Sequence, residues 1–192
     1  MGHPDPRPRR TRDAILGAFT ALVLTRRYDA LRTADLIAAA DIGRSTFYEH
    51  FPSKEAVLLA AVEPILRTLA SAALGRASKA QVRAMLEHVW EQRGFARMLL
   101  DGRTGANLQR QLAALIAERL DTGTDATMVA TAAAAAQLAM LRLWIGGAVP
   151  CTPAELALRM LACAALVSAS GSASPRSGSL PPRSPAPTSP AP

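Results

Sequence analysis

Cysteine is scarce in this chain: Cys151 and Cys163 are the two in 192 residues. They are too few for a disulfide framework, and their spacing matches no usual metal site. Aromatic residues make up only 4% of the composition. An interior must therefore be assembled from Ala, Leu, Ile, Val and Met, which favours helix packing over a β-sandwich. Three histidines, His3, His50 and His88, stand in no ligand pattern, and neither a phosphate-binding glycine loop nor a nucleophile motif occurs. An enzyme is not expected, and no metal or cofactor is. The chain opens on Arg and Pro with no apolar core of a secretory signal. The longest apolar stretch, Met128 to Val149, is dominated by alanine and contains Gln137 and Arg142. Alanine gains little from lipid and a mid-span Arg is costly there, so a buried helix is expected rather than a membrane span. These absences together point to a reducing cytoplasm.

Positive charge is present but unevenly placed. The net charge of +7 and a pI near 10.6 suit a nucleic acid or another polyanion as partner. Residues 1–60 nevertheless hold nine Lys and Arg against seven Asp and Glu. The concentration lies in the first ten or so residues, where Arg7, Arg9, Arg10 and Arg12 face the single acid Asp5. Residues 1–10, broken by three prolines, read as a flexible basic arm.

The central stretch is Leu31 to Lys54, LRTADLIAAADIGRSTFYEHFPSK. Before it, Ile15, Ala18, Phe19, Leu22 and Val23 recur at helical spacing, predicting a helix from Thr11, as N-cap, to about Thr25. A shorter helix is predicted from roughly Thr33 to Ala40, with Asp41 and Ile42 as a turn in which Asp tolerates the left-handed conformation. Gly43 is an acceptable N-cap for a third helix, and Pro52 closes it by biasing Phe51 out of the helical region. Within that helix Phe47 and Phe51 share one face, and Arg44, Ser45 and Tyr48 fall on another. Two short helices and a turn behind a longer helix make a helix-turn-helix, and such a front suits the major groove of DNA. Ser53 then caps a fourth helix whose first residue, Lys54, meets the positive end of the helix dipole, locally unfavourable by about 0.3–1 kcal/mol. A phosphate docked at that end would offset the cost. Pro64 either kinks the fourth helix or restarts it.

Further helices are predicted at 79–92, 95–100, 106–120, 125–146 and 154–168, with Asp101-Gly102 and Asp121-Thr-Gly-Thr among the loops. The last two are apolar over most of their surface. A homodimer built from them as a four-helix bundle is expected, through Ala135 and Leu138 of one and Leu156, Met160, Cys163 and Val167 of the other. From residue 171 onward the chain is Ser, Pro, Ala and Gly with little to bury, and disorder is expected. The expected organisation is all-α: arm 1–10, three-helix helix-turn-helix head 11–62, regulatory and dimerisation body 63–170 of about six helices, tail 171–192.

The stretches TRDAILGAF, Tyr28 with Leu31, and DIGRSTFYEHFPSKEAVL resemble the DNA-binding domain of the tetracycline-repressor (TetR) family of bacterial regulators. The resemblance covers about fifty residues by motif, and the remaining body by length, helical character and the two-helix seam. Arg32, Thr33 and Asp41 depart from the family's pattern, which implies that Thr33 does the capping one residue later. The resemblance implies that Arg44, Ser45 and Tyr48 meet DNA in the major groove, with Arg44 reading a base edge. Tyr48 and Thr46 would bond phosphates, and Thr33 and Lys54 would clamp the backbone on either side. His50 lies near a phosphate or packs under the fourth helix. Arg9, Arg10 and Arg12 would reach the minor groove or phosphates. The implied function is a cytoplasmic, ligand-responsive regulator, most often a repressor, bound as a homodimer to a palindromic double-stranded operator. An unidentified small apolar or amphipathic effector is expected in the body, where Trp90, Met98, Gln137, Met140 and Trp144, with His88 and Asn107, are candidates for its pocket. The rival reading is a helical protein-interaction module with the same fold and no specific DNA binding.

Overall fold

A computed structural model describes residues 6–120 and 126–171. The expected loop at 121–124, the first five residues of the arm and the expected disordered tail from residue 172 lie outside the described residues. Among those described there are nine α-helices and one 3-10 turn, and no strand.

Helix α1 (Pro6–Thr25) starts well before Thr11. Pro6 and Pro8 sit in its first turn, where a helix has no use for their missing N–H groups. Residues 6–10, expected as part of an arm, are therefore helical, and Thr11 is inside the helix rather than its cap. Ile15 and Phe19 are fully buried on the inner face. A 3-10 turn, Tyr28–Ala30, leads to α2 (Thr33–Ala39). Arg32, not Thr33, is the N-cap, with extended backbone, and Asp35 Oδ2 accepts its N–H at 2.8 Å. Asp35 thus satisfies the N–H of the cap residue itself, which is the carboxylate half of a capping box.

Asp41 turns the chain at φ 51°, in the left-handed region that a short polar side chain tolerates. Gly43 precedes α3 (Arg44–His50), and Phe51 ends it in extended conformation ahead of Pro52. Helix α4 (Lys54–Ala73) begins at Ser53, whose hydroxyl accepts the Ala56 N–H at 3.2 Å. It runs through Pro64 without restarting, as one helix of about 30 Å. Pro64 is exposed, so water can reach the carbonyl that has lost its partner. The expected boundary at residue 62 falls inside α4, which belongs to both head and body. Gly75 at φ 66° stops it, with the Arg76 N–H donating to the Ser71 carbonyl at 2.8 Å and the Gly75 N–H to that of Ala72 at 3.1 Å. This pairing satisfies carbonyls that the helix end leaves open.

The body adds α5 (Lys79–Glu91), α6 (Arg93–Leu100), α7 (Gly102–Ala117), α8 (Ala126–Ile145) and α9 (Pro153–Gly171). Ser78 and Gln81 cap α5 reciprocally, at 3.2 and 2.9 Å. Helices α7 and α8 pack together most extensively, α4 lies against α7, and α9 against α5. At the α6–α7 junction the structure requires glycine. A Cβ on Gly105 would run into the Leu100 carbonyl, which also accepts a hydrogen bond from Arg142 Nε at 2.9 Å. Helices α4 and α8 are long and apolar enough to cross a membrane by length and composition. Each instead buries a long face here, through Leu66, Leu69 and Ala70 of α4 and Ala130, Ala134, Leu138 and Leu141 of α8.

Candidate nucleic-acid interface

Helix α3 divides as its spacing predicts. Phe47 and Phe51 are 0% and 2% exposed, with rings 6.4 Å apart. They anchor α3 to the head core built from Ile15, Phe19, Leu36 and Val57. Arg44, Ser45 and Tyr48 are exposed, Tyr48 by 46%. The Arg44 guanidinium lies 5.7 Å from the centre of the Tyr48 ring, so the two make one outward patch of planar donors and an aromatic face. Thr46 and His50 flank this patch half-buried, and Thr33 at the first position of α2 is likewise half-exposed. Arg44, Ser45, Thr46, Tyr48 and His50 thus all lie on the one short helix α3. A protruding seven-residue helix, greasy behind and rich in donors in front, can enter a groove about as wide as a helix.

Lys54 is placed elsewhere. Its Nζ donates to the Leu31 carbonyl at 2.7 Å and to the Tyr28 carbonyl at 3.1 Å, and sits 4.3 Å from the centre of the Tyr28 ring. The ammonium at the unfavourable end of α4 is thus compensated from inside the protein, by the carbonyls that close the 3-10 turn. Tyr28 itself is buried, and its edge meets Phe19. Burial, reinforced by the nearby charges of Glu55 and Asp29, pushes its phenol up to about 12. Among the described residues its hydroxyl has no hydrogen-bond partner.

The basic N-terminal residues are also partly committed. Arg12 places its guanidinium 4.6 Å from the centre of the Phe51 ring, capping the back of α3. Arg9 and Arg10 are exposed on the first turns of α1. The Arg7 side chain lies outside the described residues.

The pocket candidates of the body do not share one hollow among the described residues. An apolar cavity of about 60 Å³ lies between α4, α5, α6, α7 and α8, bordered by Val62, Leu66, Leu99, Leu108 and Leu141 among others. None of Trp90, Met98, Gln137, Met140 and Trp144 borders it. Trp90 and Trp144 stack on each other at 4.7 Å, and Trp144 Nε1 donates to the Cys151 carbonyl at 2.8 Å. Gln137 is 1% exposed, and its amide donates to the Met160 carbonyl of α9 at 3.3 Å. These large or polar side chains pin helices together, while the cavity is walled by ordinary Leu and Val that no composition signal distinguishes. Met140 is half-buried. Met98 borders a different, polar cleft, and so does Arg103.

Three of the expected dimer residues lie inside the chain. Leu138, Leu156 and Met160 are 1%, 3% and 0% exposed within the single chain, so they fill its own core. Ala135 and Cys163 are half-buried, and the Val167 side chain lies outside those described. Exposed along α8 are Met128, Ala132, Ala136, Ala139 and Leu143, and on α9 Leu158 and Ala162 are exposed as well. A contact missed in the sequence links head to body: Phe95 of α6 meets the buried Phe19 of α1 edge-on at 6.3 Å. With only four phenylalanines in the chain, each was a candidate packing anchor, but periodicity could not pair these two.

Comparison with known proteins supports the head most directly. Residues 15–61 match the model for bacterial regulatory proteins of the tetR family. The HTH-type transcriptional regulator EthR of Mycolicibacterium smegmatis is 43% identical over 54 residues, which are 28% of this chain and 25% of that one. The chain thus spans about a quarter of the length of the curated relative it matches. Among solved structures, a TetR-family regulator from Streptomyces coelicolor aligns with a TM-score of 0.61 at 20% identity, covering 87% of this chain and 99% of that one. A TetR transcriptional regulator from Streptococcus agalactiae gives 0.53 at 23% identity, over 83% and 96%. The Thermus thermophilus repressor FadR, solved with lauroyl-CoA, gives 0.51 at 20% identity, over 93% and 100%. These structures share the all-α fold from head to body.

Proposed function

We propose that the chain is a bacterial transcriptional regulator of the tetR family, the family whose model matches residues 15–61, and that it is a ligand-responsive repressor that binds a palindromic operator as a homodimer in the cytoplasm. The observation that carries this reading is the outward patch of Arg44, Ser45 and Tyr48, backed by buried Phe47 and Phe51. Arg44 presents a planar fork that suits guanine O6 and N7, worth roughly 1–3 kcal/mol of discrimination. Tyr48, Thr46 and Thr33 supply neutral donors for phosphates, which position the helix without reading sequence.

The uncovered stripe of Met128, Ala132, Ala136, Ala139 and Leu143 supports the dimer. Its residues recur every three or four positions, so they lie along one side of α8. Small side chains in the middle allow a second helix to approach closely, and Met128, Leu143 and Leu158 supply apolar area at the rim. Two heads held this way would enter successive major grooves about 34–36 Å apart. The continuous α4 and the Phe95–Phe19 contact give the body two mechanical holds on the head. An effector that enlarges the body cavity would move both, and it shifts head spacing only to the extent that it binds the two spacings differently.

Selection of bound duplexes from a random pool tests this. The expected product is an inverted repeat, and Arg44→Ala should weaken binding to it by about 1–3 kcal/mol and relax preference at one position per half-site. Light scattering should give two chains for the wild type and one for Leu143→Glu. A chain that selects no duplex would instead be an interaction module on a helix-turn-helix fold.

A further inference from the structure

The head and body meet across an open cleft of about 490 Å³, and its chemistry differs from wall to wall. The body wall is α7, which contributes Arg103, Asn107 and Arg110. The head wall is the 3-10 turn and the start of α4, which contribute Asp29, Glu55 and the already engaged Lys54. Arg103 makes no ion pair among the described residues, and Arg110 reaches only Asn107, at 3.5 Å. Leu108 borders both this cleft and the apolar cavity of about 60 Å³ behind it. Helix α4 is divided in the same way, with Leu58 and Leu59 on the cleft and Val62 and Leu66 on the cavity.

We propose that the effector is an amphipathic anion, a carboxylate or phosphate on a linear hydrocarbon chain, with its headgroup at Arg103 and Arg110 and its tail passing Leu108 into the apolar cavity. This rests on the reading of the chain as a ligand-responsive regulator and names the class of ligand. The charges on the cleft select the headgroup. An anion is attracted to the α7 wall and repelled by Asp29 and Glu55, so it sits on the body side. The walls select the tail, because every side chain bordering the cavity is apolar. The volume couples binding to motion. At about 60 Å³ the cavity is well under the roughly 150 Å³ that admits a benzene ring. A chain of several methylenes outgrows that space and presses on α4, which carries the head.

Titration calorimetry on the full chain with sodium decanoate, decyl phosphate, decanol, acetate and inorganic phosphate tests the proposal. At least one of the two long-chain anions should bind about tenfold or more tightly than decanol. Their ranking distinguishes a carboxylate source from a phosphate source. Acetate and phosphate, which lack the tail, should not displace the long-chain anion. The double variant Arg103→Ala/Arg110→Ala should lose about tenfold or more for the anions and leave decanol unchanged. Equal binding of decanol and the anions, displacement by acetate or phosphate, or an unaffected double variant would each overturn it. Shortening the acid from decanoate to butanoate should weaken binding stepwise, which tests the tail without any core substitution. A parallel duplex-binding measurement separates this inference from its premise. Duplex bound with no long-chain anion bound overturns only the ligand class. Anion bound with no duplex bound overturns the regulator reading and leaves the site standing.

Discussion

Replacing Lys54 by Met keeps the stem of the side chain and removes its ammonium. Two hydrogen bonds to the Tyr28 and Leu31 carbonyls disappear, and so does the cation over the Tyr28 ring. The Tyr28 carbonyl keeps the Leu31 N–H at 3.1 Å, so the larger loss falls on Leu31. A charge-assisted bond of this kind contributes about 1.5–3 kcal/mol when buried. The site is half-exposed, so about 2 kcal/mol for the pair is a reasonable discount, with about 1 kcal/mol for the cation over the ring. Removing a cation from a helix N-terminus returns about 0.3–1 kcal/mol. The expected net destabilisation is about 2–2.7 kcal/mol, a fall in Tm of roughly 4–11 °C for a chain of this size. Urea unfolding followed by circular dichroism at the helix band measures it. The same variant discriminates between the two roles considered for Lys54. A residue clamping a DNA phosphate lowers the slope of log K against log salt by about 0.9 when removed. A residue tying α4 to the 3-10 turn leaves that slope alone. Lys54→Met with wild-type stability and a reduced slope would refute the internal assignment.

Other outcomes follow from single features. Gly105→Ala drives a methyl into the Leu100 carbonyl, and a loss of about 1–3 kcal/mol is expected in thermal unfolding. Asp41→Gly removes a left-handed side-chain penalty of about 1–2 kcal/mol and adds about 0.5–1 kcal/mol of unfolded-chain freedom, so Tm should rise slightly. The Tyr28 phenol is held protonated in the fold, pushed up to about 12. Its contribution to stability is complete below pH 10, the unfolded value, and is lost as pH rises towards 12. Tyr28→Phe should flatten that alkaline loss and, because the hydroxyl is unpartnered, cost little at neutral pH. Subtracting the variant's ultraviolet titration from the wild type's isolates the step.

The head was legible because its information is local. Phe47 and Phe51 four residues apart, Asp41 at the turn, Pro52 after Phe51 and Ser53 before α4 each act over a few residues, and each does in the fold what its spacing predicts. Where a local rule failed, a neighbour had taken over the task. Arg32 stands at the cap position with its own N–H taken by the Asp35 carboxylate, and prolines expected to break an arm were absorbed into the first turn of α1.

The body was legible only as a set of helices. A period of 3.6 residues tells which side chains share a face of α8 or α9, but both faces of these helices are apolar, and composition cannot say which one the same chain covers. Packing against α7, α5 and α4 decided it, sending Leu138, Leu156 and Met160 inward and leaving an alanine stripe outside. The cavity depends on the same choice, because a void is set by how helices cross and not by any residue that borders it. Lys54 marks the division. Sequence alone determined that a cation stands at the wrong end of a helix and needs a partner. Tertiary structure decided that the partner is a pair of backbone carbonyls from a turn more than twenty residues away, since a long flexible side chain takes whichever acceptor the fold brings within reach.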